Sequence, residues 1–219
     1  MSRSPGRRVR PGAGHGIFGK FFLSVAPDVV HLLATQGERS LEAMHAFVAW
    51  SSTGSPEALD SIRSLDQAAY DARRSLLAAL RSALATPVDQ EDLYVLSERC
   101  DRVVKACKNL AAEADSLAWQ PDSYAATMAG CLAEAMGHLL EGFRNLAKDP
   151  DLAGSCADRA GSKAHEVVRV YREAMRAILG TGDLDRAFTG REIYRSYARA
   201  AELVTAVGDR LWYAVIAEA

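Results

Sequence analysis

The sequence predicts an all-α fold: an elongated bundle of six long helices, built as two tandem three-helix units. Three observations predict it. Apolar residues recur at three- and four-residue steps over long segments, while strand patterns are absent. The breaks between segments carry helix stop and start chemistry rather than hairpin turns. The segments also divide three and three, and an acid precedes Leu93-Tyr94 in the first half as one precedes Ile193-Tyr194 in the second.

The first helix is expected over about 26–50, with Val29, Val30, Leu33, Leu41, Met44, Phe47 and Val48 on its apolar side. Ser51 to Gly54 reads as a loop. Ser55 then caps the second helix, with Pro56 at its first position, where a missing N–H costs nothing. That helix is expected over about 56–85, its stripe running from Leu59 and Ile62 to Leu80 and Leu84. Pro87 disfavours helical geometry at Thr86 and ends it. Asp89 is a good N-cap for a third helix over about 90–117, and Glu91 and Asp92 lie where the helix dipole favours negative charge. Its stripe contains Leu93, Leu96, Cys100, Val103, Val104, Cys107 and Leu110. Gln120-Pro121-Asp122 breaks the pattern. A fourth helix follows over about 123–147, Asp149-Pro150 opens a fifth, and Gly180-Thr181-Gly182 ends it. Thr189-Gly190-Arg191-Glu192 reads as a capping box that starts the sixth. Rods of about 25–30 residues are about 37–45 Å long, and short connections make neighbours antiparallel. The expected organisation is an arm at 1–16 and a bundle at 17–219, with halves at about 17–120 and 121–219.

Composition bounds the function. The chain has 219 residues, 49% hydrophobic and 25% charged, which is ordinary globular usage. No apolar run approaches the ~20 residues needed to cross a bilayer. The start lacks the apolar stretch of roughly 7–15 residues of a signal peptide, so a cytoplasmic protein is expected. Net charge is −2 but uneven. Residues 1–20 hold Arg3, Arg7, Arg8, Arg10 and Lys20 and no acid, so the body beyond them carries about −7. An acidic body argues against nucleic acid as a partner. The arm reads as disordered and could touch anionic lipid, making the protein peripheral at the inner face of the membrane. Cys100, Cys107, Cys131 and Cys156 form no CxxC pair and read as small buried apolar residues in a reducing compartment.

Several stretches together resemble one family. Thr86-Pro87-Val88-Asp89-Gln90-Glu91-Asp92-Leu93 has the form of the junction between the second and third helices of PhoU-like proteins, which accompany Pit-type phosphate transporters. Leu96-Ser97-Glu98 and Asp101 continue that match. Tyr171-Arg172-Glu173-Ala174 is similar to the family's fifth helix and Arg191-Glu192-Ile193-Tyr194 to the start of its last, while Phe18, Phe21 and Phe22 fit its aromatic start. The resemblance implies a repeated three-helix bundle without enzymatic turnover. It also implies a regulatory role in inorganic phosphate uptake, exercised by binding a phosphate permease at its cytoplasmic face. A homo-oligomer is compatible with the sequence.

The resemblance further implies carboxylate pairs, four residues apart, that hold divalent or iron-type metal on the bundle surface. The residues matching them here are Asp66, Glu98, Asp101 and Glu202. The set is depleted. Tyr70 stands four residues after Asp66, Lys105 four after Asp101, His165 occupies the matching place in the fifth helix, and Ala198 and Ala206 flank Glu202. A lysine within a few ångströms of a cation opposes it by about 1–4 kcal/mol. The expectation is therefore no resident cofactor, with a degraded carboxylate metal site as the alternative and a phosphate-independent scaffold or adaptor as a third reading.

Other constellations are weaker. Glu42-x-x-His45 with Glu38, and Glu134-x-x-x-His138 with Glu141, lack the second matched copy that a di-iron bundle needs. Gly14 to Lys20 formally matches two phosphate-loop patterns, but a Pro/Gly/Arg arm precedes it in place of a strand, and Phe21 stands where magnesium needs a hydroxyl. Nothing marks a nucleophile with its base.

Overall fold

The structure, a computed structural model, describes residues 28–180 and 182–217. The expectations for the basic arm at 1–16, the glycine cluster and Phe18, Phe21 and Phe22 fall outside the described residues. Six helices fill the rest: α1 (Val29–Thr53), α2 (Pro56–Ser82), α3 (Gln90–Ser116), α4 (Ser123–Asn145), α5 (Pro150–Leu179) and α6 (Leu184–Ala217).

All six begin where a side chain can take up free amide protons, α6 through Asp183 as described below. Asp28 Oδ1 accepts from His31 N at 2.9 Å, Ser55 Oγ from Ala58 N at 3.2 Å and Asp89 Oδ1 from Glu91 N at 2.7 Å. Asp122 Oδ1 serves two amides, and Asp149 Oδ1 accepts from Leu152 N at 3.0 Å. Pro56 and Pro150 occupy the first helical positions behind Ser55 and Asp149. At the close of α1, Gly54 takes a left-handed φ of 65° and returns its N–H to Trp50 O at 2.7 Å.

Three boundaries differ from the sequence reading. Ser51 to Thr53, expected in a loop, complete the last turn of α1, where Ser51 is buried. Helix α2 stops at Ser82, so Leu84, expected on its apolar stripe, stands fully exposed in the connection. The influence of Pro87 thus reaches a full turn upstream. Helix α6 starts at Leu184 rather than at the Thr189 capping box, because Asp183 Oδ1 caps Arg186 N at 3.0 Å one turn and a half earlier. Gly190 is therefore mid-helix. A Cβ there would lie 2.2 Å from Ile178 Cδ1, so the glycine lets α6 cross α5 closely.

Packing follows the threefold grouping. α2 lies on α1 and α3, and α5 lies on α4 and α6, while α2 and α5 do not touch. The groups join where α1 meets α4 and α3 meets α6. One continuous apolar cluster runs through all six helices, including Phe47, Leu96, Met136, Phe143, Val167 and Leu211. Buried polar contacts set the register of the seams. Gln36 Nε2 donates to Ser97 O at 2.9 Å while Ser97 Oγ donates to Gln36 Oε1 at 2.6 Å, tying α1 to α3. Ser51 Oγ and Tyr197 Oη, 2.8 Å apart in the core, tie α1 to α6. Such groups are unsatisfied in any other register, where each would cost about 1–3 kcal/mol. All four cysteines are buried and free, as their spacing implied.

Candidate functional site

The acids marked in sequence sit mostly on one seam. On α2, Asp66, Tyr70 and Arg73 share a helix face by their steps of four and three. On α3, Asp101, Lys105 and Lys108 share a face by the same steps. The two helices run antiparallel, so the triplets meet in reverse order as three rungs. Lys108 Nζ donates to Asp66 Oδ2 at 2.6 Å. Lys105 Nζ stands 5.3 Å from the centre of the Tyr70 ring, a cation–π distance. Arg73 lies 3.5 Å from Asp101 Oδ2, which also accepts from Lys105 Nζ at 2.7 Å. Asp66 and Asp101 are 9% and 6% exposed, so these are desolvated carboxylates. Glu98, a turn before Asp101, pairs with Arg102.

Glu202 is elsewhere. It lies on α6 at one end of a shallow groove lined with Tyr171, Arg191, Arg195, Ala198 and Arg199. The four expected ligands therefore do not converge. Among the described residues, no group of three or more His, Cys, Asp or Glu side chains is placed to hold a metal ion. The donor set does not fit a resident metal: Asp66, Glu98 and Asp101 each already face a cation of the chain itself, and a divalent ion at the rungs would meet Arg73, Lys105 and Lys108. The E-x-x-H candidates are similarly engaged. Glu38 pairs with Arg144 at 2.6 Å, Glu42 with Arg39 at 2.9 Å and Glu134 with Lys163 at 2.5 Å.

The junction before α3 has a second role that its sequence did not disclose. Asp92 is 1% exposed, and its Oδ1 lies 2.6 Å from an Arg210 terminal nitrogen on α6; Arg210 also reaches Glu91 at 3.4 Å. The first turn of α3 is thereby fastened to the last helix of the other unit. Burial pushes the Asp92 carboxyl above its usual range, and Arg210 offsets only part of that. Tyr194 Oη donates to Asp122, linking α6 to the start of α4, and Arg99 reaches Ala206 O from α3.

The thiols are placed against chemistry. Burial raises Cys107 to about 12 and Cys100 to about 11, so neither is a thiolate at neutral pH. A surface depression of about 570 Å³ is lined by residues including Asp28, His31, Pro87, Arg144 and Lys148. No described helix is long and apolar enough to cross a membrane.

Fold and seam together define a class: a six-helix, all-α protein of two joined three-helix units, stitched by ion pairs. That class is the PhoU-like fold. A PhoU-like protein from Shewanella oneidensis superposes with a TM-score of 0.69 over 86% of this chain and 99% of its own, at 14% identity. A protein from the same organism, described as a PhoU-like phosphate regulatory protein, superposes at 0.64 over the same shares with 13% identity. No protein-family model matches the sequence, and no curated protein matches it.

Proposed function

We propose that this protein is a non-enzymatic, cytoplasmic regulator of inorganic phosphate transport that acts by binding a Pit-type permease. The observation that carries the reading is the agreement of two independent lines. The helical order and packing match structures described as PhoU-like over 86% of the chain, and the Thr86–Leu93 junction stands at the α2–α3 turn where the resemblance requires it. Charge supports the mode of binding. The body beyond the basic start carries about −7, and cytoplasmic loops of membrane proteins carry an excess of Lys and Arg. Exposed Glu57, Asp60 and Asp71 on α2 and Glu113 and Asp115 on α3 offer acids to such loops. Protein contact, not turnover, is what these surfaces provide.

In this reading Asp66 and Asp101 are structural acids that hold α2 to α3, with the lysines and arginines of the rungs in the place of a cation, while Glu98 pairs with Arg102 within α3. Elemental analysis of protein purified without chelator tests that role: iron, manganese or zinc at one ion or more per chain overturns it. Pull-down with the permease, at low and at moderate salt, tests the docking. Capture that weakens with salt is expected, because the contact is charged. No capture at either salt removes the docking mechanism.

A further inference from the structure

Helix α6 carries an exposed stripe that neither the bundle core nor the ion-pair seams use. Leu184, Phe188, Arg191, Arg195 and Arg199 follow each other at steps of four, three, four and four, so they share one face. The two apolar members protrude: Leu184 is 82% exposed and Phe188 is 71% exposed. Leu179, the last residue of α5, is 66% exposed at the same corner. The three arginines are exposed, and none has an ion-pair partner among the described residues. Like charges four apart weaken a helix, so the bundle gains nothing from this spacing. Arg169, by contrast, is paired with both Glu166 and Glu173.

We propose that this face of α6 is a docking surface for an anionic lipid bilayer. Two features together select that occupant. Guanidinium groups attract acidic headgroups, and each basic residue near a charged membrane surface adds to binding. The apolar side chains stand out from the surface beside the arginine-lined groove, which suits insertion between acyl chains while the arginines meet the headgroups. The stripe from Leu184 to Arg199 spans about 22 Å of helix, long enough to lie along a bilayer. Tyr171 borders the arginines, and Glu202 is the one acid in that groove. The surface is distinct from the basic start of the chain, and the inference does not rest on the permease reading.

The test is co-sedimentation of the full chain with phosphatidylcholine vesicles, with and without phosphatidylglycerol. Binding is expected only with phosphatidylglycerol and is expected to fall at high salt. Changing Arg191, Arg195 and Arg199 to Gln together lowers the partition coefficient about a hundredfold, at about fivefold per residue. Leu184→Ser with Phe188→Ser lowers it more than about tenfold. Because all five side chains are exposed, thermal midpoints stay at the wild-type value. A companion variant with Arg3, Arg7, Arg8 and Arg10 changed to Gln keeps stripe-dependent binding. The proposal is overturned if wild type ignores acidic vesicles, or if it binds neutral ones equally. It is also overturned if the arginine triple variant sediments like wild type, or if only the arm variant loses binding. A protein that ignores vesicles but loses permease capture on the triple substitution also overturns it, in favour of a protein-docking face.

Discussion

Replacing Lys108 with methionine isolates the charge of the first rung, because methionine retains most of the apolar stem. In the wild type, Lys108 Nζ is 2.6 Å from Asp66 Oδ2, and Asp66 Oδ1 is buried with no hydrogen-bond partner. Without Lys108 the carboxylate keeps the cost of burial and loses its cation. Removing one partner of a fully buried pair costs about 3–5 kcal/mol. Here the side chains retain 12% exposure at Asp66 and 28% at Lys108, so water recovers part of that. The expected loss is about 2–3 kcal/mol, lowering Tm by about 4–12 °C at ~2–4 °C per kcal/mol for a chain of this size. Asp66→Asn combined with Lys108→Met removes the stranded charge and returns all but about 1 kcal/mol. The measurement is urea and thermal unfolding followed by circular dichroism. A single variant within about 0.5 kcal/mol of wild type, or a double variant no better than the single, would refute the clamp.

Three further outcomes follow from the same fold. Gly54→Ala puts a Cβ into a left-handed turn at φ 65°, 2.9 Å from Gln120 Oε1 and 3.1 Å from Pro121 Cδ, and costs about 1–2 kcal/mol by urea unfolding. Cys100 and Cys107, raised to about 11 and about 12, resist an aromatic disulfide reagent at mildly alkaline pH until denaturant is added; thiol counts before and after unfolding check this. Asp92 has its folded pKa raised above the ordinary 3.8, so in the window just above that value the native state binds the extra proton. Its contribution to stability therefore grows as pH falls through that window and is lost as pH rises out of it. Asp92→Asn removes this slope, which urea midpoints across mildly acidic pH will show as a flatter profile for the variant.

Local chemistry is what made the helices legible. Asp28, Ser55, Asp89, Asp122 and Asp149 are caps within three residues of the amides they serve, so each can be recognised from its own neighbourhood. The sixth start was misread for the same local reason. Thr189 to Glu192 carries the signature of a cap, but Asp183 supplies one earlier, and Gly190 is held in the helix by the approach of Ile178 from α5. Leu84 was misassigned because its spacing continues the α2 stripe, whereas the chain has already left the helix before Pro87. In each case a contact or a stop beyond the local window overrode a valid short pattern.

The α2–α3 seam shows what a one-dimensional reading of the acids omits. Lys105 is four residues from Asp101, so its opposition to a metal could be seen directly. Lys108 is 42 residues from Asp66, and Arg73 is 28 from Asp101, so their role depends on which way α3 runs past α2. Antiparallel packing sets 66 against 108, 70 against 105 and 73 against 101, and each rung then pairs a cation with a carboxylate or an aromatic face. A parallel arrangement would set Asp66 towards Asp101 and Arg73 towards Lys108, leaving like charges together. The rungs thus favour the antiparallel orientation as well as clamping it. Asp66 and Asp101 are bridged across the hairpin by Lys108 and Arg73, side chains that the chain carries itself. Arg210 does the same between units, where 118 residues separate it from Asp92. The role of these acids follows from the cations that the fold brings to them.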